Sequence, residues 1–178
     1  MNRIYIIGPR ASGKTTLGHG LARALKARFV DTDIAVGKRL GCSIAEYVGQ
    51  HGWPAFRSEE HAALEDVVAA TDGHGTAVIA TGGGIVLLEE NRRLLRETGT
   101  CLYIDVPIKE MVRRLSWNPL HSQRPSLTGQ DIRDEVTQIM SEREHLYRST
   151  AHYVVSGLDF TPSSCEIILS FLTEHGVI

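Results

Sequence analysis

The chain has 178 residues, 42% hydrophobic and 22% charged, the proportions of one ordinary globular domain whose core needs no staple. Its net charge of −2 excludes the broad basic footprint that nucleic acid or an anionic membrane requires. Cys42, Cys101 and Cys165 are too scattered for a disulfide framework or zinc ribbon, the histidines form no closely spaced pair, and no apolar run suits a signal peptide or bilayer span, so a cytoplasmic location is expected.

Residues 4–7 are a short apolar run rich in β-branched side chains, which predicts a buried strand. Gly8-Pro9-Arg10-Ala11-Ser12-Gly13-Lys14-Thr15 follows at once and matches Gly-x-x-x-x-Gly-Lys-Ser/Thr in full. The amphipathic stretch 14–27 supplies the helix that such a loop must open. Glycines let this backbone wrap phosphate oxygens, so successive N–H groups and the helix N-terminus face the anion. Ala11, Ser12, Gly13, Lys14, Thr15 and Thr16 are therefore the expected ATP contacts, with Lys14 reaching the β- and γ-phosphates and the Thr15 hydroxyl ligating Mg²⁺. The motif indicates a nucleotide but not a reaction, because switches, motors and small-molecule kinases all use it.

Residues 29–30 form the next strand, and Asp31-Thr32-Asp33 stands at its carboxyl end, where open α/β sheets bind ligands. Two carboxylates one residue apart on extended backbone share a side and repel unless their roles differ. A Mg²⁺ beside one and an acceptor hydroxyl beside the other is one resolution; a turn with Asp33 as helix cap is another. A helix is predicted over 55–70, with Arg57 near its start, then a turn over 71–76 and a strand over 77–80. Thr81-Gly82-Gly83-Gly84 follows, and three glycines there either admit a ligand close to the backbone or mark a strained turn into the next helix.

A helix over 89–97, a strand over 101–106 and a helix over 108–115 come next. Asp105 is the nearest candidate for a second metal-site acid, but Pro107 follows and a structural role is expected. Residues 116–130 carry two prolines, a glycine and little periodicity, with Arg124 beside Pro125, and a mobile lid is expected there. The helix over 132–148 places Tyr147 one turn after Arg143 on the same face. A strand over 153–155 and a helix over 163–174 complete the pattern. Planar guanidinium groups suit bidentate capture of a carboxylate, although a lone helical arginine is as readily a solvated charge.

Strand and helix in strict alternation predict an α/β fold: a parallel sheet with helices on both faces, in one domain spanning 1–178. The ordered set GPRASGKTT (8–16), DTD (31–33), WPAFRSEE (53–60), ATGGG (80–84), QRPSLTG (123–129) and EREHLYR (142–148) resembles the shikimate kinase family over nearly the whole chain. Trp53 and the long 116–130 segment are more similar to the enterobacterial-type second isozyme. The resemblance implies a P-loop kinase fold, a three-layer sandwich around a five-stranded parallel sheet in order 2-3-1-4-5. It implies ATP-dependent phosphorylation of the 3-hydroxyl of shikimate, a step towards chorismate and the aromatic amino acids, with Mg²⁺ as cofactor and ATP and shikimate as partners of a monomer.

On this resemblance Asp33 holds the acceptor hydroxyl and takes its proton, Arg57 and Arg143 grip the shikimate carboxylate, and the backbone of Gly82, Gly83 and Gly84 meets the ring. Glu60 positions the arginines, Asp31 acts on Mg²⁺ with Thr15, Arg124 swings onto the ATP phosphates, and Arg114 lies against the adenine. Two other readings compete: a gluconate or nucleoside monophosphate kinase of the same fold, and a nucleotide-sensing protein. A nucleotide acceptor would not need the Arg57 and Arg143 carboxylate grip, a sensor has no use for an acceptor site, and ATPase assays coupled to each acceptor decide among the kinases.

Overall fold

The computed structural model describes residues 2–117, 131–157 and 162–178. In chain order the elements are β1 (Arg3–Ile7), α1 (Lys14–Ala24), β2 (Arg28–Asp31), α2 (Thr32–Leu40), α3 (Ile44–Ala70), β3 (Ala77–Ala80), a 3₁₀ turn (Ile85–Leu87), α4 (Glu89–Thr98), β4 (Thr100–Asp105), α5 (Ile108–Trp117), α6 (Ile132–Thr150), β5 (Tyr153–Ser156) and α7 (Pro162–Glu174). The five strands form one parallel sheet in the order β2-β3-β1-β4-β5, which is the expected order. In register, Tyr5 pairs with Ile79 on one side and Cys101 on the other.

All five residues of β1 are buried, and after Arg3 the strand reads as a continuous apolar run. Its alternate side chains feed two cores. Ile4 and Ile6 join Leu17 and Leu21 of α1, Met111 of α5 and Leu172 of α7, whereas Tyr5 and Ile7 join Leu64 of α3, Leu95 of α4 and Tyr147 of α6. The period of two in the strand thus makes the two helical layers. Helix α6 serves both, since Val136 and Met140 face the first core.

Residues 32–54 are more helical than the sequence reading, which offered a helix cap at Asp33 and otherwise began its next helix at 55. Asp31 caps α2 through hydrogen bonds from the backbone N–H groups of Asp33 (2.9 Å) and Ile34 (3.4 Å), so the cap is Asp31 and not Asp33. Ser43 and Glu46 then form a reciprocal capping box that starts α3. Gly52, at φ 79° and ψ 168°, breaks α3 into two pieces. Pro54 lies in the first turn of the second piece, where its missing N–H costs nothing. Of the segment 116–130 expected to be a lid, Ser116 and Trp117 are helical and complete α5. The rest of it, Arg124 included, lies outside the described residues.

Candidate active site

The turn from β1 into α1 takes three left-handed backbone positions, Gly8 (φ 148°), Ala11 (φ 58°) and Gly13 (φ 96°). A Cβ at Gly8 would press on the Ile104 carbonyl and the Ser12 hydroxyl, each 3.1 Å away, so this glycine is required by space as well as by φ. Ala11 adopts the left-handed region without that freedom, and the surrounding contacts must hold it there. Arg114 of α5 supplies them. Its guanidinium donates to the carbonyls of Ala11 (3.2 Å), Ser12 (3.3 Å) and Gly157 (2.7 Å), while Glu110 accepts from its Nε at 2.6 Å. Hydrogen bonds from Arg113 and Arg114 hold the Glu110 carboxyl down at about 2. Arg114 therefore braces the loop, a contact the sequence reading did not anticipate for it.

Within the loop, Ser12 is buried, and Lys14 donates through Nζ to the Pro9 carbonyl at 2.5 Å. Thr15 and Thr16 are exposed on the first turn of α1. The Thr15 hydroxyl donates to Oδ2 of Asp31 at 3.2 Å, while Oδ1 of the same carboxylate caps α2. A hydroxyl and a carboxylate oxygen at the mouth of a phosphate loop are hard oxygen donors of the kind Mg²⁺ takes, one or two from protein with water and phosphate completing the shell. The described residues contain no cluster of three or more His, Cys, Asp or Glu side chains, and a site of this kind needs none.

The glycine turn after β3 is tied down at both ends. The Gly82 N–H donates to Thr32 Oγ1 at 2.9 Å, and the Tyr147 hydroxyl donates to the Gly83 carbonyl at 2.5 Å. Space explains the glycines. A Cβ at Gly82 would stand 2.7 Å from Asp33 Oδ1 and 3.0 Å from Glu60 Oε1, and one at Gly84 would overlap the Arg57 guanidinium. Bare backbone thus lets an acid from α2 and an acid and a cation from α3 converge on one turn.

Arg57 is largely buried and pairs with Glu60 at 2.5 Å, a carboxylate only 2% exposed. The guanidinium sits 5.2 Å from the Trp53 ring centroid and 5.1 Å from that of Phe56, so two aromatic faces and a buried carboxylate hold the cation in place. Arg143 projects from α6 beside Tyr147, and its Nε is buried with no hydrogen-bond partner among the described residues. A buried guanidinium N–H without an acceptor is costly, and an anionic ligand is the natural way to satisfy it. Burial pushes the Tyr147 phenol up to about 12 despite the neighbouring Arg143 charge, so it stays a neutral donor at ordinary pH.

These groups share one cleft. Asp33, Arg57, Glu60, Gly83, Gly84 and Arg143 line it together with Pro9 and Arg10 of the phosphate loop. The structure brings together every expected residue of the acceptor side except Gly82, which stands directly behind Asp33. Sequence reasoning missed Arg10 and Glu135, whose side chains approach to 4.0 Å in the cleft wall. Arg10 occupies a position the phosphate motif leaves open to any residue, so no pattern marked it. It also missed Thr32 and gave Tyr147 no task, although the Arg143–Tyr147 spacing was visible. Asp105 pairs with Arg148 at 2.8 Å, the structural role expected of it. No helix among the described residues is long and apolar enough to cross a membrane.

Comparison with known proteins agrees with this geometry. The shikimate kinase family profile matches residues 10–173. A shikimate kinase of Oleidesulfovibrio alaskensis is 48% identical over 176 residues, 99% of this chain and 100% of that one. Shikimate kinase 2 of Dickeya chrysanthemi is 46% identical over 152 residues, 85% of each chain. The structure of an Acinetobacter baumannii shikimate kinase in complex with shikimate superposes with a TM-score of 0.87 at 26% identity, covering 98% of this chain and 94% of that one. The chain belongs to the shikimate kinase family.

Proposed function

We propose that the protein transfers the γ-phosphoryl group of ATP to the 3-hydroxyl of shikimate, giving shikimate 3-phosphate and ADP on the route to chorismate. The observation that carries this reading is the single cleft in which a phosphate loop opens onto an acid flanked by two arginines. Phosphoryl transfer asks for in-line positioning and for positive charge around the moving group, and little covalent work by the protein.

Each residue has a task that its placement suits. Backbone N–H groups from Ala11 to Thr16 receive the phosphates, and Lys14 leaves the Pro9 carbonyl for a phosphate oxygen when nucleotide is present. Arg57 and Arg143 grip the shikimate carboxylate from α3 and α6. Glu60 fixes Arg57 so that the fork is already aimed when substrate arrives, which lowers the ordering cost of binding. Asp33 accepts the proton of the attacking hydroxyl. The glycine turn 82–84 supplies a wall thin enough for the ring to lie close. Thr15 and Asp31 would hold Mg²⁺, which when bound offsets charge on the β- and γ-phosphates. The family resemblance adds Arg124 as a further cation on those phosphates and Arg114 at the adenine. The loop-bracing contacts of Arg114 leave its planar face as the part that can meet a base.

Two guanidiniums lining one cleft suit an acceptor that carries a carboxylate, as shikimate does. Steady-state ADP release measured with no acceptor, shikimate, gluconate or a nucleoside monophosphate tests the reading. Release should depend on shikimate alone, and equal release without an acceptor would overturn it.

A further inference from the structure

Two tyrosines stack across the second core. Tyr103 of β4 and Tyr147 of α6 lie with ring centroids 5.3 Å apart and planes within 13°. Both are fully buried, yet their hydroxyls differ. That of Tyr103 has no hydrogen-bond partner among the described residues, whereas that of Tyr147 reaches the Gly83 carbonyl. Packing alone would be served by either ring without its oxygen, so the Tyr147 hydroxyl calls for a separate account.

Gly83 explains it. A Cβ at this residue would lie 3.4 Å from the Arg10 amide nitrogen and 3.6 Å from the Gly8 carbonyl oxygen, so the glycine turn lies directly against the phosphate loop. The turn has one tie to Thr32, next to Asp33, and one to Tyr147, a helical turn after Arg143. The distance between the acceptor cup and the phosphate loop is therefore set where Gly83 is held.

We propose that Tyr147 is a positioning residue for phosphoryl transfer: its hydroxyl fixes the Gly83 carbonyl and thereby the register of the acceptor against the nucleotide. Its ring lines the cleft, and its hydroxyl acts through the Gly83 carbonyl. This inference rests on the shikimate kinase reading of the cleft and adds a residue to it. Its elevated phenol pKa keeps the donor intact through the neutral range. Transfer is sensitive to such placement, since displacement of about 1 Å can cost 10²-fold in rate.

The test uses one chemical change at two stacked positions. Tyr147→Phe and Tyr103→Phe each delete a buried hydroxyl and keep the ring. Tyr147→Phe should lower kcat/KM for shikimate by about tenfold or more, with the KM for ATP within about twofold of wild type, because a buried carbonyl beside the acceptor loses its donor. Tyr103→Phe should leave both parameters unchanged. Assays are run at a temperature where circular dichroism shows both variants folded. Equal kcat/KM for shikimate in the two variants would overturn the proposal. So would a Tyr147→Phe protein that folds at no temperature while Tyr103→Phe folds, since the hydroxyl would then serve stability. A wild-type protein without shikimate-dependent turnover would instead overturn the reading of the cleft, a distinguishable failure.

Discussion

The Asp33 carboxylate and the Arg57 guanidinium come from different helices and converge on one turn, because Gly82 leaves room for the first and Gly84 for the second. Their tasks separate kinetically. Asp33→Asn should lower kcat about 10²–10⁴-fold, the usual worth of a general base, with the KM for ATP little changed. Arg57→Ala and Arg143→Ala should act on the other parameter. Truncating one member of a buried charged contact costs about 2–5 kcal/mol, so the KM for shikimate should rise at least about 30-fold in each. Unchanged shikimate KM in both arginine variants would remove the carboxylate grip from the account. Taken singly, a helical arginine reads as a solvated charge and Asp33 as a helix cap; the family resemblance is what assigned the three to one acceptor site. Arg57 and Glu60 stand at i, i+3 and the resemblance already linked them, but burial of the glutamate to 2% could be seen only in three dimensions.

At the scale of elements, the strands and the phosphate loop follow directly from apolar runs and punctuation. Helix α2 was not legible, because its nine residues are mixed in character and only Thr32 and Val36 are buried. The first piece of α3 was hidden for a different reason: Gly52 and Pro54 read as breakers, whereas one sits at a kink and the other in a first turn. Helix α5 carries a prediction of its own. Its Glu110 is held at about 2 by Arg113 and Arg114, below the ordinary carboxylate value of about 4.3. The depressed folded-state pKa means the carboxylate contributes stability that is fully present above about pH 4.3 and lost as pH falls towards about 2. Denaturant melts across that window should therefore show a shallower acid loss in Glu110→Gln than in wild type. An identical slope in the two proteins would separate Glu110 from the brace that Arg114 makes on the phosphate loop.

For the whole molecule, the alternation of strand and helix was enough to expect a parallel sheet with helices on both faces, and β2-β3-β1-β4-β5 is what forms. That order places β1 and β3 side by side, so the phosphate loop after Ile7 and the glycine turn after Ala80 leave the same edge as neighbours. Asp31 ends β2 beside Ala80, which brings the acid pair to that edge too. The cleft is thus a consequence of strand order, and no local motif contained it. Sequence named the parts; only the sheet shows that they share one wall. The claim at the centre of this account is that the cradle and the cup act on a single phosphoryl group. Phosphorus NMR of the protein turning over ATP and shikimate measures its fate directly. The γ-phosphoryl signal should reappear as a phosphomonoester of shikimate in step with ADP. Its appearance only as inorganic phosphate, at a rate indifferent to shikimate, would contradict the account.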